Sequence, residues 1–92
     1  MSDQPHEPVL TPPARRVVQS ALPEGVAAAV IGFITGALVD HPRRVGKQLR
    51  GDLAGIHAAR RGTYRVLYRI NGQHHEVVIL RIEPRRDAYR PT

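Results

Sequence analysis

The chain has 92 residues, no cysteine, and 14 Lys and Arg against 8 Asp and Glu, which gives a formal net charge of +6. A single domain of this length buries only a small core, and the lack of cysteine excludes both a disulfide framework and cysteine-based zinc sites. Because no signal-peptide pattern is present and no apolar run approaches the ~20 residues of a membrane span, we expect a soluble, cytoplasmic protein without membrane contact.

The positive charge is concentrated in the second half of the chain. Residues 1–42 carry two arginines against four acidic residues, whereas residues 43–92 carry eleven arginines and one lysine against four acidic residues. Arginine presents a planar fork of donors that matches phosphate, so this bias favours an anionic polymer as partner. A GC-rich genome would also raise the arginine content, but it would not leave the first half slightly acidic.

The N-terminal part is predicted to be a flexible arm followed by a helix. We expect residues 1–8 to form the arm and residues 9–92 a single domain, which starts with a short strand near Val9–Leu10. Thr11 is of a type that caps helices, and the two prolines after it are tolerated because the first turn needs no N–H donors. The first helix therefore extends from this cap to Leu22.

A second helix is predicted between two prolines. Pro23 ends the first helix and starts the second, Glu24 complements the positive helix N-terminus, and His41–Pro42 ends the helix. The apolar residues that recur at helical spacing and form its buried stripe are Val26, Val30, Phe33, Ile34, Ala37 and Leu38.

Beyond a basic loop at residues 40–52, the apolar period changes from helical to two, which indicates strands. The three predicted strands and their turns are Ile56–Arg61, Gly62–Thr63, Tyr64–Ile70, Asn71–Gly72 and Glu76–Glu83. The Asn-Gly pair is a hairpin signal because both residues accept a positive φ.

The middle strand alternates between apolar and basic side chains. One face carries Tyr64, Val66, Tyr68 and Ile70, and the other carries Arg65, Leu67 and Arg69. We expect the first face to pack on the helices and the second to present cations to solvent. The order of elements predicts an α+β fold of two layers, in which two N-terminal helices pack on an antiparallel β-meander.

Three segments carry a resemblance to a known family: "KQLRGDLAG", "RRGTYRVLYRI" and "PRRDAYR". In this order and spacing, the chain resembles the RelE/ParE superfamily of type II toxins, and its RelE-like branch in particular. The likeness extends over residues 9–90 and includes "TPPARR" at the start of the first helix. The resemblance implies a compact β-α-α-β-β-β toxin that an antitoxin neutralises.

The resemblance also implies an activity and a set of residues. RelE-like toxins cleave messenger RNA in the ribosomal A site, without a metal or cofactor, by attack of the ribose 2′-hydroxyl on the adjacent phosphate. Catalytic roles are implied for Arg65, Arg85 and Tyr89. Phosphate-binding roles are expected for Lys47, Arg50, Arg60 and Arg86.

Each of these residues also has an alternative interpretation. Arg65 could be a surface cation paired with Glu76 or Glu83 across the sheet, and Arg85 an ordinary solvated residue. Arg50 and Arg60 could act as general steering charge, as Arg43, Arg44, Lys47 and Arg61 could. Tyr89 could stack on a base or hold the C-terminal tail on the sheet.

The chain departs from the family pattern at three positions. Some relatives have basic residues where Ile56 and Ala58 stand, and some have a histidine where Pro84 stands. No evident general base remains, since strand alternation directs His57 to the face opposite Arg60. The five histidines are scattered without the spacing of metal ligands, so we expect no metal site.

The leading hypothesis is a ribosome-dependent messenger RNA endoribonuclease that inhibits translation. One alternative is a ParE-like inhibitor of DNA gyrase, which shares the fold but cuts no RNA. Another is a non-catalytic nucleic-acid-binding corepressor that acts with the antitoxin. The expected partners are a RelB-like antitoxin, messenger RNA in the A site and, for the toxin–antitoxin complex, operator DNA.

Overall fold

A computed structural model describes residues 4–84 as one five-stranded sheet with two helices on one face. The strands lie in the order β1-β5-β4-β3-β2. Their bounds are β1 Glu7–Leu10, β2 Lys47–Gln48, β3 His57–Arg61, β4 Tyr64–Asn71 and β5 Glu76–Pro84. The predicted α+β architecture of two layers is confirmed.

Both helices begin where the sequence predicts. Helix α1 spans Pro12–Arg16 and continues in wider π-helical turns over Val17–Ala21. Thr11 is its N-cap: the N–H of Ala14 donates to the Thr11 hydroxyl oxygen at 3.5 Å. The second helix starts directly after Pro23.

Helix α2 spans Glu24–Phe33 and continues in π-helical turns over Ile34–Leu38. Four of its predicted stripe residues are buried, namely Val30, Phe33, Ile34 and Leu38, and Val26 and Ala37 are partly buried. Within residues 4–84, no helix is long and apolar enough to cross a membrane.

The sheet is wider than the predicted meander. Strands β3, β4 and β5 pair antiparallel in sequence, and Gly62 turns the first hairpin with a φ of 57°. Strand β1 adds to the free edge of β5 in parallel, and β2, within the basic loop, adds two residues antiparallel to β3. The basic loop is thereby attached to the sheet edge.

The second hairpin lies where Asn-Gly predicts it, but its turn is of a different kind. Asn71 pairs with Glu76, so four residues connect the strands, and the positive φ of 56° falls on His75. The Asn71 side chain stabilises this turn instead, because its Oδ1 accepts the N–H of His74 at 3.2 Å. The hairpin predicted at Asn71–Gly72 is therefore present, although the positive φ that these two residues would accept lies on His75.

A β-bulge at Leu80 sets which side chains of β5 face the core. Leu67 pairs with Arg81 and Tyr68 with Ile79, so Leu80 has no partner in the ladder. The extra residue shifts the alternation by one position. Ile79 and Ile82 can therefore both be buried, while Arg81 is exposed.

The core lies between the helices and one face of the sheet. Its sheet residues are Ala59, Tyr64, Val66, Tyr68, Val77, Ile79 and Ile82. The hydroxyl of Thr11 lies 2.9 Å from the carbonyl oxygens of both Ile79 and Leu80, so the start of α1 is tied to the bulge. The opposite face of the sheet remains open.

Candidate functional site

The open face of the sheet carries two adjacent rows of side chains across β3, β4 and β5. One row is formed by Arg60, Arg65 and Glu83, which occupy paired positions on the three strands. The neighbouring row starts on β2 and consists of Lys47, Ala58, Leu67 and Arg81. Paired residues in a sheet point to the same side, so these side chains share one surface. We call Lys47, Arg60, Arg65, Arg81 and Glu83 the basic face.

Two arginines stand directly opposite each other on this surface. Arg60 pairs with Arg65 in the β3–β4 ladder, and both are exposed. Like charges at opposed positions destabilise a sheet. Within residues 4–84, no carboxylate forms an ion pair with Arg60. This uncompensated charge is what an anionic ligand would neutralise.

Arg65 is held by the carboxylate on the other side. Its Nη2 donates to Glu83 Oε1 at 2.8 Å, and Arg81 Nη1 lies 3.7 Å from Glu83 Oε2. The side chains of Arg65 and Glu83 are 45% and 30% exposed. The alternative interpretation of Arg65 as a cation paired with Glu83 thus describes the geometry. An exposed pair of this kind contributes only about 0–1 kcal/mol, so phosphate can compete for Arg65.

A buried tyrosine attaches the basic loop to the sheet. The hydroxyl of Tyr68 donates to the carbonyl oxygen of Pro42 at 2.6 Å, and burial raises the pKa of Tyr68 to about 12. Gly46 lies so close that a Cβ there would be 2.5 Å from the Tyr68 hydroxyl and 2.8 Å from the carbonyl oxygen of Ala58. This contact brings Lys47 to the edge of the basic face.

The alternate residues of β3 lie on the helix side and not on the basic face. The ring of His57 stacks on Tyr68 at a centroid distance of 5.3 Å, and Arg61 lies 4.7 Å above the ring of Phe33. Burial, followed by the charge of Arg43, lowers the pKa of His57. As the alternation predicts, His57 therefore faces away from Arg60.

The structure brings together some of the predicted site residues and leaves others apart. Lys47, Arg60 and Arg65 share the basic face. Arg50 is exposed in the loop after β2, immediately before a 3-10 turn at Gly51–Leu53. Three predicted site residues lie outside the described residues: Arg85, Arg86 and Tyr89.

Two members of the basic face were not predicted as site residues. Arg81 and Glu83 reach this surface because the bulge at Leu80 shifts the alternation of β5. The sequence signal for them was the apolar pattern of Val77, Ile79 and Ile82, which fits a single face only if one residue is skipped.

The chemistry of this surface is that of anion binding. Four cations and one carboxylate share this surface, and the described residues hold no group of three or more histidine and acidic side chains that could bind a metal ion. Such a surface can bind phosphate and stabilise negative charge, and Glu83 is its one acceptor of a proton.

A protein-family model matches most of the chain. A family described as ParE toxin of the type II toxin–antitoxin system, parDE, matches residues 13–89. Among similar proteins, toxin RelE of Mycobacterium tuberculosis is 48% identical over 88 residues, which cover 96% of this chain and 90% of that protein. Toxin RelG of the same organism is 51% identical over 86 residues, which cover 94% and 98%.

Solved structures have the same fold. A chain of the toxin–antitoxin complex RelBE2 from M. tuberculosis matches with a TM-score of 0.84 at 50% identity, covering 89% of this chain and 100% of that one. A chain of the RelE–RelB complex from Pyrococcus horikoshii matches with a TM-score of 0.70 at 24% identity, and the match covers 90% of this chain and 98% of that one. Isolated RelE of Escherichia coli matches with a TM-score of 0.72 at 16% identity, and the match covers 87% of this chain and 84% of that one. The last two show the fold alone.

Proposed function

The chain belongs to the ParE toxin family of type II toxin–antitoxin systems and is a toxin of the RelE type, and on this premise we propose that it is a ribosome-dependent messenger RNA endoribonuclease that inhibits translation. The resemblance to the RelE/ParE superfamily seen in the sequence is confirmed. The activity itself is our proposal, and it rests on the basic face.

The opposed pair of Arg60 and Arg65 is the observation that carries the proposal. Two exposed arginines at paired positions cost stability, and a bound phosphate backbone removes that cost by giving each guanidinium group an anionic partner. Lys47 and Arg81 lie in the next row, where they would contact the neighbouring phosphates of the same strand. The surface is open and matches an extended, singly stranded backbone.

The proposed reaction needs no metal ion. The ribose 2′-oxygen attacks the adjacent phosphorus, and negative charge develops on the phosphoryl oxygens in the transition state. Preorganised arginines aimed at those oxygens stabilise that charge. The ribosome positions the message, so the toxin has to supply only charge stabilisation and proton transfer. We assign Arg65 to the scissile phosphate and Arg60 to its neighbour.

Further roles are proposed for residues on the loop and at the C-terminus. Arg50 would bind a flanking phosphate from the basic loop. Arg85 would stabilise the phosphate or assist the leaving 5′-oxygen, Arg86 would bind phosphate, and Tyr89 would stack on a base or orient the scissile phosphate.

A RelB-like antitoxin is the proposed neutralising partner. Two of the similar solved structures are complexes of a toxin with RelB. An acidic antitoxin segment over the basic face would both neutralise its charge and block access to it. We also propose that the toxin–antitoxin complex binds operator DNA, and we place the toxin in the cytoplasm with the ribosome.

A second candidate function is inhibition of DNA gyrase. The family that matches residues 13–89 carries the ParE name. The resemblance to ParE-like toxins implies a protein that inhibits gyrase without cutting RNA. This alternative needs a protein-binding surface and makes no use of paired arginines on an open face.

Expression in a heterologous bacterium, followed by mapping of RNA 5′ ends, tests the proposal. New ends inside coding regions, at fixed positions relative to codons, are expected for the wild-type chain. They should disappear with Arg65→Ala but persist with Arg16→Ala, which removes an exposed arginine on α1. Intact messages together with DNA breaks would favour the gyrase alternative.

A further inference from the structure

Glu83 is the one carboxylate on the basic face within the described part of the chain. Its two oxygens lie between two guanidinium groups, 2.8 Å from Arg65 Nη2 and 3.7 Å from Arg81 Nη1. It stands in the same row as Arg60 and Arg65, which bind phosphate in the function proposed above. From this placement we infer that Glu83 is the general base that takes the proton of the ribose 2′-hydroxyl; the inference rests on the proposed endoribonuclease function.

If the basic face only bound phosphate, a carboxylate at position 83 would be unfavourable. Its negative charge repels the phosphates that the surrounding cations attract. The ion pair with Arg65 is exposed and adds little stability, so it does not offset that repulsion. A carboxylate that weakens substrate binding is accounted for if it acts in the chemical step.

Two other described residues that could accept a proton, His57 and Glu76, are placed elsewhere. His57 lies on the opposite side of the sheet against Tyr68. Arginine remains protonated near neutral pH and cannot accept a proton. Glu76 shares a strand with Glu83, but it pairs with Asn71 at the far end of the ladder. Glu83 therefore fills the role that sequence reasoning left without a residue.

Phosphate binding and release of the base are coupled through Arg65. When a phosphate binds Arg65, the guanidinium exchanges one oxyanion partner for another and Glu83 Oε1 loses its hydrogen-bond donor. The freed oxygen has a lone pair available for a ribose hydroxyl beside the bound phosphate. The same exchange that orients the scissile group thus frees its base.

The proton balance of the step is complete without a co-reactant other than water. Glu83 takes the 2′-hydroxyl proton, the 2′-oxygen bonds to phosphorus, and the bond from phosphorus to the 5′-oxygen breaks. The 5′-oxygen takes a proton from water, and the hydroxide left behind takes the proton from Glu83. The products are a 2′,3′-cyclic phosphate and a 5′-hydroxyl end.

Single-turnover cleavage on purified ribosomes tests this inference. The ribosomes carry a defined message with an open A-site codon, and the chain is wild type, Glu83→Gln or Glu76→Gln. The glutamine at position 83 keeps an oxygen for Arg65 but is not basic. Glu76→Gln removes the same charge from the same strand. Binding is measured separately with a message that has one 2′-deoxyribose at the cleavage position.

We expect Glu83→Gln to cleave at least ~100-fold more slowly than wild type, the usual contribution of a general base. It should bind the deoxyribose message as tightly as wild type or more tightly, since a repulsive charge is gone. Glu76→Gln should cleave at the wild-type rate.

Two results would overturn the inference while leaving the endoribonuclease proposal intact: cleavage by Glu83→Gln close to the wild-type rate, or a loss of binding that matches the loss of cleavage. The second result would make Glu83 a positioning residue for Arg65. If the wild-type chain cuts no message on the ribosome, the proposed function fails, and the role of Glu83 fails with it.

Discussion

Arg60 and Arg65 illustrate how residues proposed to bind phosphate can oppose folding. Both side chains are exposed at opposed positions, and only Arg65 has a carboxylate partner among the described residues. Repulsion between them is greatest at low ionic strength because salt screens exposed charges. The pair is therefore expected to cost stability in the free protein and to contribute affinity in the complex.

Arg60→Ala should consequently stabilise the free protein while impairing its activity. Removal of the like charge is expected to raise the free energy of unfolding by about 0.2–1 kcal/mol in low salt, and by less in high salt. Urea denaturation at two ionic strengths measures this difference. Arg44→Ala, in the exposed part of the basic loop, is the control and should give no such gain. Destabilisation by Arg60→Ala would contradict the interpretation.

Tyr68 is the residue on which attachment of the basic loop depends. Its buried hydroxyl donates to the Pro42 carbonyl at 2.6 Å. Tyr68→Phe leaves that carbonyl without its donor and should lower the free energy of unfolding by about 1–3 kcal/mol. Thr35→Val removes an exposed hydroxyl that donates to Ile31 and should change it by less than about 0.5 kcal/mol. Equal effects of the two changes in urea denaturation would exclude a special role for Tyr68.

At the scale of elements, the basic loop is held against β3 by close contact at Gly46. A Cβ at this position meets the Tyr68 hydroxyl and the backbone of Ala58, and the backbone cannot move aside at low cost. Gly46→Ala is therefore expected to destabilise the fold by about 1–3 kcal/mol, as overpacking does. Gly32→Ala in α2 has nothing within 4 Å and should stabilise the helix by about 0.5–1 kcal/mol. Thermal unfolding of both variants gives the comparison.

Strand β1 depends on a pair of histidines at its start. The rings of His6 and His75 stack with their centroids 3.9 Å apart, and His75 Nε2 lies 2.8 Å from the carbonyl oxygen of Gln4. The backbone N–H of His6 donates to the carbonyl oxygen of Val39. Burial, and then the charge of His75, lowers the pKa of His6 below its usual 6.5. Protonation of His6 therefore opposes the docking of β1.

The free energy of unfolding should therefore decrease as the pH falls below 6.5. A histidine whose pKa is lower in the folded than in the unfolded chain contributes fully above pH 6.5, and this contribution is lost as the pH falls below that value. His57, whose pKa is also lowered, adds to the same trend. His6→Gln should reduce the slope of unfolding free energy against pH between about pH 7.5 and 5. An unchanged slope would show that His6 does not couple β1 docking to pH.

Local patterns in the sequence predict the elements but not their long-range pairing. The Thr11 cap and the alternation of Val66 and Tyr68 with Arg65 are properties of a few neighbouring residues, and the structure confirms both. The parallel pairing of β1 with β5 and the strand within the basic loop depend on partners that lie 9 to 69 residues away along the chain. No local pattern specifies such a register.

The candidate site also has one part that local sequence patterns predict and another part that they do not. The side of the sheet on which Arg60 and Arg65 lie follows from strand alternation alone. The positions of Arg81 and Glu83 depend on the bulge at Leu80, and the ion pair of Arg65 depends on the register that the bulge creates. A carboxylate that belongs to the site was therefore visible in the sequence only as a possible partner of Arg65.

At the scale of the whole molecule, the charge is divided unevenly between the two halves of the chain. The first half of the chain supplies the helices and is slightly acidic, whereas the second half supplies most of the sheet and nearly all the cations. The open face of the sheet therefore presents a positive surface on one side of the molecule. If the proposed function is correct, this asymmetry should attract ribosomal and messenger RNA at long range, and the attraction should weaken as salt is added.

The central claim is that this face cuts messenger RNA through the 2′-hydroxyl, and cleavage of a defined message on purified ribosomes tests it most directly. The wild-type chain is expected to cut an all-ribose message at the A-site codon, to leave a 2′,3′-cyclic phosphate, and to leave free RNA intact. A message with a single 2′-deoxyribose at the cut position should survive. An all-ribose message that remains whole, or equal cleavage of the deoxyribose message, would contradict the account.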